Sequence, residues 1–147
     1  MILTVDDERE ITDLIRIGLT EAGYDVESAS NSREALAIIH TRRPDLILLD
    51  LMLPDIDGLS LFEILRDGES TASIPVVILT GWSTDDARKY GSELGAVDYL
   101  NKPLKLEVLI DRVRRILASH SRGDTSQSTS SSSMNPGRWQ PGRLSAS

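Results

Sequence analysis

Two stretches of the chain are continuously apolar and lack the polar alternation of a strand with one solvent face. They are Leu46–Leu49, which Pro54 and Gly58 follow, and residues 75–79, which begin with Pro75. Such runs also fit a buried helix. Their short length and the adjacent turn residues favour strands covered on both faces, as in the middle of a parallel sheet.

Three further strands are predicted by shorter β-rich runs, Ile2–Val5 and residues 24–29 and 97–100. The alternation of polar and apolar residues in 24–29 is typical of a strand nearer the sheet edge. With the two apolar runs, this pattern predicts five strands along the chain.

Between and after these strands, apolar residues recur at helical spacing. The first helix has Ile11, Leu14, Ile15 and Leu19 on one predicted face, and Gly23 supplies its C-terminal cap. The last helix shows the clearest periodicity, with apolar residues at positions 106, 109, 110, 113, 116 and 117.

Polar residues mark where the middle helices begin. Asn31, with Glu34 three residues later, predicts an N-cap, and Asp57 predicts another before a helix over 58–66. Asp55 is interpreted, like Asp57, as a turn or cap residue and not as a metal ligand.

The fourth predicted helix, over residues 84–94, has few apolar anchors. Only Ala87, Tyr90 and Leu94 can face a core, and Gly91 interrupts the helix. This composition predicts low local stability, which suits an element that moves.

Five strands that alternate with five helices predict an α/β fold with a parallel sheet and helices on both faces. Because crossovers between parallel strands are right-handed, a doubly wound sheet is the expected topology. The 147 residues suffice for one domain, and 39% hydrophobic with 27% charged residues fits a soluble globular protein.

Charge and composition exclude several classes of function. The net charge of -7 argues against direct binding of nucleic acid, and the absence of cysteine removes disulfide and thiol chemistry. The apolar runs are too short to span a bilayer and the N-terminus has no signal-peptide pattern, so a cytoplasmic location is expected.

The composition changes near residue 119. Serine accounts for ten of the 29 residues in 119–147. Such a segment buries too little surface to offset its ordering entropy. We therefore expect a folded domain over residues 1–118 and a Ser-rich disordered tail over 119–147.

Distinctive polar groups follow four of the five predicted strands. They are the acidic pair Asp6 and Asp7, the carboxylate of Asp50, the hydroxyl of Thr80 and the ammonium of Lys102. In a parallel sheet these ends lie along one edge, where ligands of open α/β sheets bind. Three carboxylates at that edge would repel one another unless a cation lay among them.

The chemistry of this set favours phosphoryl transfer. Oxygen-only ligands suit a hard ion such as Mg²⁺, and a metal, a lysine and a hydroxyl together can disperse the charge of a phosphoryl group. With no cysteine and no suitably placed serine or histidine, a carboxylate is the expected nucleophile. Taken singly, the acidic pair also fits a helix N-terminal charge, and Thr80 fits a helix cap.

Five motifs together resemble the receiver domain of two-component response regulators. They are residues 5–8 (VDDE), 48–54 (LLDLMLP), 57–58 (DG), 79–80 (LT) and 98–103 (DYLNKP). The similarity runs from residue 1 to about residue 118 in the order and spacing of that family. It implies a flavodoxin-like, doubly wound five-stranded sheet of order 2-1-3-4-5 with five helices.

The resemblance also implies a role for each matching residue. Asp50 would accept a phosphoryl group from a histidine kinase. Asp6, Asp7, Asp50 and the backbone carbonyl of Met52 would hold Mg²⁺, and Lys102 would contact a phosphoryl oxygen.

A switch is implied as well. Thr80 would move to hydrogen-bond the phosphoryl group, and Tyr99 would be the aromatic residue that turns inward. Lys102-Pro103 would be a cis peptide bond. The fourth helix, fifth strand and fifth helix would form the output face.

Two positions depart from the commonest family pattern. Gly81 replaces the usual alanine or serine, which should loosen its loop and leave the phosphoryl site accessible. Trp82 and Met52 are large or apolar, and we hypothesise that they flank the phosphoryl group and slow its hydrolysis. Glu8, both histidines and the arginines at 112, 114 and 115 are assigned to solvated surface.

Three functions are compatible with these residues. The first is a phosphoacceptor switch that catalyses its own phosphorylation and dephosphorylation without being a conventional enzyme. The second is a receiver-like interaction module that needs no phosphorylation, and the third is a magnesium-dependent aspartyl phosphatase. The expected partners are a histidine kinase or phosphotransfer protein, an output protein or missing output domain, and a second copy through the output face.

Overall fold

The computed structural model describes residues 1–81 and 84–122, apart from the side chains of residues 121 and 122. The predictions for Trp82 and for residues 123–147 of the Ser-rich tail lie outside the described residues. The last helix continues to Arg122, past the predicted domain boundary at residue 118. None of the helices in residues 1–81 and 84–122 combines the length and the apolar character that a membrane-spanning segment requires.

Five strands and five helices alternate along the described chain. The strands are β1 (Ile2–Val5), β2 (Val26–Ala29), β3 (Leu46–Leu49), β4 (Val76–Thr80) and β5 (Asp98–Asn101). The helices are α1 (Arg9–Glu21), α2 (Ser32–Thr41), α3 (Gly58–Asp67), α4 (Asp85–Glu93) and α5 (Leu106–Arg122). All neighbouring strands are parallel, in the order β2-β1-β3-β4-β5. The predicted fold class and strand order are confirmed.

The central strand β3 is buried on both faces, as its apolar run predicts. Ile47 and Leu49 join the core beneath α2, α3 and α4, whereas Leu46 and Leu48 join the core beneath α1 and α5. All four side chains are fully buried. Each contributes roughly 1.5–3 kcal/mol by leaving water, so β3 is a rigid support for the residue that follows it.

The predicted helix caps are present. Asn31 accepts a hydrogen bond from the Glu34 amide at 2.8 Å, and Asp57 accepts one from the Ser60 amide at 3.0 Å. Gly23 follows α1 with a φ of 102°, a conformation that glycine adopts at little cost. These local signals fix where α2 and α3 begin and where α1 ends.

The predicted buried face of α1 is wrong at one residue. Ile15 and Leu19 are buried, but Leu14 is 44% exposed. Gly18 is buried instead. Leu106 packs closely over it, since a Cβ built on Gly18 would lie only 2.5 Å from Leu106 Cδ2. The packing of α5 on α1 therefore decides which face is covered.

Helix α4 contacts the sheet more closely than its few apolar residues suggest. Ala87 and Leu94 are buried and Tyr90 is partly buried, as predicted. Gly91 is also buried, and a Cβ built on it would lie 2.8 Å from Ile78 Cδ1. Interpreting Gly91 only as a destabilising residue is therefore incomplete, since it lets the α4 backbone lie directly against β4.

Candidate functional site

The carboxyl ends of β1 and β3 bring three acidic residues together. Val5 pairs with Leu49, so the next residues, Asp6 and Asp50, emerge side by side. Asp6, Asp7 and Asp50 each offer a carboxylate oxygen, and these oxygens lie within 4.8 Å of one another. The predicted acidic cluster is therefore present, with Asp6 and Asp50 buried and Asp7 exposed.

Burial makes the negative charge of Asp6 unfavourable. Burial raises the pKa of Asp6 above its ordinary value, and the nearby Asp50 carboxylate raises it further. The Lys102 ammonium and a hydrogen bond from the Glu8 amide, at 2.9 Å, oppose this effect only in part. A cation close to Asp6 would therefore be stabilising.

Lys102 reaches this cluster from the loop after β5. Its amide donates a hydrogen bond to the Thr80 carbonyl at 3.0 Å, and the predicted cis Lys102-Pro103 bond is present. The Lys102 ammonium lies 2.8 Å from Asp6 Oδ2 and 3.2 Å from Asp50 Oδ2. Burial alone would lower the pKa of Lys102, but these carboxylates and Glu8 raise it overall.

Glu8 also belongs to this cluster. Its Oε1 lies 2.6 Å from Lys102 Nζ, although 58% of the Glu8 side chain is exposed. Glu8 is exposed, as its assignment to solvated surface predicts, but that assignment misses its ion pair with Lys102. Sequence reasoning missed it because the two residues are 94 positions apart. The arginines assigned to surface include a second such pair, Arg112 with Asp98.

The donor set fits a hard divalent cation. Asp6 Oδ2 is buried, and although it forms the ion pair with Lys102, no described residue gives it a hydrogen bond of suitable direction. Every carboxylate of the cluster offers oxygen, the atom that such cations prefer. The cluster could therefore hold a metal ion, with a buried oxygen already in place for it.

The loop between β3 and α3 is held by hydrogen bonds to α2. Asp55 accepts the amides of Ser32 at 2.9 Å and Arg33 at 3.0 Å, and the Ser32 hydroxyl donates to the Ile56 carbonyl at 2.6 Å. Slight burial raises the pKa of Asp55, but these amides, with that of Ile56, lower it overall. Its interpretation as a cap residue is confirmed, and the cap belongs to α2.

Met52 and Asp50 are joined within the same loop. The Met52 amide donates to Asp50 Oδ1 at 3.2 Å, while the Met52 side chain is 54% exposed. Gly58, the first residue of α3, donates to the Leu51 carbonyl at 2.9 Å. The orientation of Asp50 thus depends on the backbone of the two residues that follow it.

Thr80 and Tyr99 occupy neighbouring strands with different surroundings. Thr80 ends β4, is fully buried and contributes to the wall of the cleft that contains Asp50. Tyr99 is partly buried against the core beneath α4, and its ring lies under the Arg88 guanidinium, 4.1 Å from centroid to Cζ. The Tyr99 hydroxyl oxygen is buried. Tyr99 thus lies on the α4 side of the sheet and does not line the cleft.

An open cleft of about 770 Å³ gives access to the cluster. Its polar lining includes Asp7, Glu8, Asp50, Thr80 and Lys102, and its apolar lining is Ile11, Met52, Leu53, Pro54 and Pro103. Gly81 also lines it. A phosphoryl-sized group therefore has direct access to Asp50, and the cleft has an apolar rim.

Comparison with known proteins agrees with this geometry. Residues 2–114 match the family model of the response regulator receiver domain. Over 124 residues the chain is 41% identical to the phosphate regulon transcriptional regulatory protein PhoB of Pseudomonas aeruginosa, covering 84% of this chain and 54% of that protein. It is 44% identical over 116 residues to the DNA-binding dual master transcriptional regulator RpaA of Synechocystis, covering 79% and 48%.

Solved structures share the fold. The CheY-like response regulator receiver domain protein of Methanospirillum hungatei superposes with a TM-score of 0.78 at 29% identity, covering 82% of this chain and 95% of that one. The chain spans about half the length of the curated relatives it matches. The chain belongs to the response regulator receiver domain family.

Proposed function

We propose that Asp50 accepts a phosphoryl group from a histidine kinase or phosphotransfer protein, and that this changes the face formed by α4, β5 and α5. The observation that carries the proposal is the position of Asp50. Its buried carboxylate lies at an open cleft, within 3.2 Å of the Lys102 ammonium and close to Asp6 and Asp7.

The transfer step requires a carboxylate nucleophile and compensation of negative charge. An Asp50 oxygen bonds to phosphorus while the bond from phosphorus to the donor nitrogen breaks. The electron pair returns to the imidazole, which leaves neutral when its other nitrogen carries a proton. Lys102 offsets the charge on the phosphoryl oxygens, and its fixed position means that little reorganisation is needed.

The metal is proposed to be Mg²⁺, held by Asp6, Asp7, Asp50 and the Met52 backbone carbonyl. When bound, it would neutralise carboxylate charge and phosphoryl charge together. The buried oxygen of Asp6 supports this assignment, because it has no hydrogen-bond donor of suitable direction among the described residues. The raised pKa of Asp6 also supports it, because a nearby cation would stabilise the ionised carboxylate.

The switch is proposed to work through Thr80 and Tyr99. A phosphoryl group on Asp50 offers Thr80 a new hydrogen-bond acceptor, and the Tyr99 ring, in contact with Arg88, links that change to α4. Moving a population from mostly inactive to mostly active needs about 5.5 kcal/mol of differential stabilisation. One hydrogen bond supplies about 1 kcal/mol, so Lys102 and the metal must contribute as well.

The lifetime of the phosphoryl group is proposed to depend on the rim of the cleft. The exposed Met52 side chain lies beside Asp50 and could exclude the attacking water. Trp82, the second residue of the hypothesis, lies outside the described part of the chain. Exchange of Met52 for asparagine should shorten the phosphorylated lifetime.

The output is proposed to be a protein contact made by the α4, β5 and α5 face. Two relatives are named as transcriptional regulators, one of them DNA-binding, so control of a DNA-binding output domain is one form of this proposal. Pairing of two copies through the same face is another. Analytical ultracentrifugation with and without phosphorylation tests the second form directly.

Labelling by a small phosphodonor tests the phosphoacceptor proposal. Incubation with Mg²⁺ and acetyl phosphate should add one phosphoryl group per chain by intact mass spectrometry, and Asp50→Asn should abolish it. Asp57→Asn is the matched control, because asparagine also caps a helix well and Asp57 caps α3. Turnover of many donor equivalents would support a phosphatase, and absence of labelling in the unmodified protein would support an interaction module.

A further inference from the structure

Glu8 is placed unusually for a residue that precedes a helix. It occupies the N-cap position of α1, yet its side chain makes no capping hydrogen bond among the described residues. Its carboxylate instead reaches across the cleft to Lys102, with 2.6 Å between Oε1 and Nζ. A local role at the start of α1 therefore does not account for its orientation.

The three carboxylates around Lys102 differ in their access to water. Asp6 and Asp50 have side chains only 2% and 5% exposed, whereas Glu8 is 58% exposed. Glu8 nevertheless makes the shortest of the three contacts. An ammonium has three N–H donors, and Lys102 directs two of them in hydrogen bonds to Glu8 and Asp50, while Asp6 Oδ2 lies 2.8 Å away as an ion-pair partner.

A phosphoryl oxygen that approaches Lys102 therefore competes with these carboxylates for the ammonium. Asp6 and Asp50 are held by buried strand ends, and separating either from the ammonium would leave a buried charge without its partner. Glu8 can turn into water, where its carboxylate is fully hydrated, and breaking an exposed ion pair changes an equilibrium by no more than about fivefold. Glu8 is therefore the carboxylate that leaves Lys102 when a phosphoryl oxygen binds.

The geometry points to Glu8 as a specificity-determining residue that occupies the position on Lys102 taken by a phosphoryl oxygen. Glu8 acts through Lys102 as a positioning residue and competes with incoming anionic phosphodonors. This inference rests on the proposed function of Asp50. With acetyl phosphate as donor, an Asp50 oxygen bonds to phosphorus while the bond from phosphorus to the acetyl oxygen breaks, and acetate leaves with the electron pair.

Competition predicts a change in donor binding and not in the rate of transfer. Glu8→Gln removes the charge and keeps the length of the side chain, so a donor oxygen reaches Lys102 more easily. At saturating Mg²⁺ for each variant, the half-saturating concentration of acetyl phosphate should fall about fivefold, the size expected for loss of an exposed ion pair. The limiting rate of phosphorylation in Glu8→Gln should stay within about twofold of the rate in the unmodified protein.

Glu10→Gln is the matched control. Glu10 is also an exposed glutamate in the first turn of α1, so its exchange removes the same charge near the same helix end. It should leave the half-saturating concentration unchanged. Phosphoramidate, a donor with less negative charge than acetyl phosphate, should gain less from Glu8→Gln.

A binding measurement separates competition from any effect on the reaction. Beryllofluoride mimics the phosphoryl group without chemistry, and calorimetry at saturating Mg²⁺ should show about fivefold tighter binding to Glu8→Gln, again the size of an exposed ion pair. Unchanged binding and kinetics in Glu8→Gln, with normal labelling of the unmodified protein, would overturn this inference alone. Absence of labelling in the unmodified protein would overturn the proposed function itself.

Discussion

Gly58, the first residue of α3, lies against the backbone at the end of β3, and an alanine there should displace Asp50. A Cβ built on Gly58 would lie 2.3 Å from the Asp50 carbonyl oxygen and 2.6 Å from Leu51 Cα. Real carbon contacts lie near 3.5–4.0 Å, so the two segments must separate by about 1 Å or more. Both neighbours are backbone atoms and cannot rotate away as a side chain can.

The expected cost combines two opposing terms. Overpacking of this kind costs typically 1–3 kcal/mol, and the backbone contact places Gly58→Ala at the upper end. Alanine recovers up to about 1 kcal/mol of helix propensity, and less at a first helical position. The free energy of unfolding should therefore fall by about 2 kcal/mol, which lowers Tm by about 5–10 °C for a domain of this size.

The effect on phosphorylation should exceed the effect on stability. A shift of about 1 Å in a reacting group can reduce the rate roughly 100-fold. Thermal unfolding by circular dichroism and labelling by acetyl phosphate below Tm measure the two effects separately. Folded Gly58→Ala with wild-type labelling would falsify the inference that Gly58 positions Asp50.

Gly81→Ala is the matched control for this experiment. Gly81 also lines the cleft, but a Cβ built on it would lie 3.7 Å from Lys102 Cβ, an ordinary van der Waals contact. We expect its free energy of unfolding to change by no more than about 0.5 kcal/mol. An equal loss of labelling in both variants would mean that any added methyl group near the cleft is harmful.

Three further predictions concern buried polar groups. Thr4→Val should raise the free energy of unfolding by about 1 kcal/mol, because the buried Thr4 hydroxyl has no hydrogen-bond partner among the described residues. Arg66→Met should lower the free energy of unfolding by about 2 kcal/mol, because the Arg66 guanidinium donates hydrogen bonds to the carbonyls of Leu94, Ala72 and Ile74. This guanidinium is largely buried, and burial lowers its pKa to about 10. For metal-free protein, the raised pKa of Asp6 means that the folded state binds this proton more tightly than the unfolded chain. The free energy of unfolding should then fall as pH rises from 3.8 through the folded pKa.

Each of these predictions has its own control. Thr12→Val should be destabilising, because the Thr12 hydroxyl donates to the Arg9 carbonyl at 3.0 Å, and equal effects at both threonines would contradict the argument. Hydrogen exchange should increase at the end of α4 in Arg66→Met, and unchanged exchange there would count against the anchoring role of Arg66. The pH dependence attributed to Asp6 should be weaker in Asp6→Asn with EDTA present, and should persist unchanged if the group is another carboxylate.

The parts of the fold that the sequence predicts are those with local causes. Four consecutive aliphatic residues in β3 need cover on both faces, and Asn31 and Asp57 accept amides only three residues away. The acidic cluster was predictable because parallel strands end at one edge. Its distances were not, since they depend on the register of Val5 with Leu49.

What the sequence does not predict depends on distant partners. The burial of Gly18 beneath Leu106, a contact between α1 and α5, does not follow from the apolar pattern, because glycine carries no apolar side chain. The close approach of Gly91 to β4 likewise depends on Ile78. Hydrophobic periodicity predicts neither contact, because it shows which residues share a face of a helix but not which element packs against that face.

The acidic cluster places a costly buried charge beside the buried central strand β3, and this connects stability with the proposed function. Burial makes the charge of Asp6 costly, and the Lys102 ammonium compensates it only in part. Fully buried residues of β3 supply enough stabilisation to tolerate that cost. A bound metal ion would relieve part of that cost, whereas a phosphoryl group on Asp50 would add negative charge that Lys102 and the metal ion would have to offset. The fold therefore holds Asp50 at the end of a strand that is buried on both faces. Under the proposals above, the adjustment to a phosphoryl group would fall to the exposed Glu8 and to the face around α4.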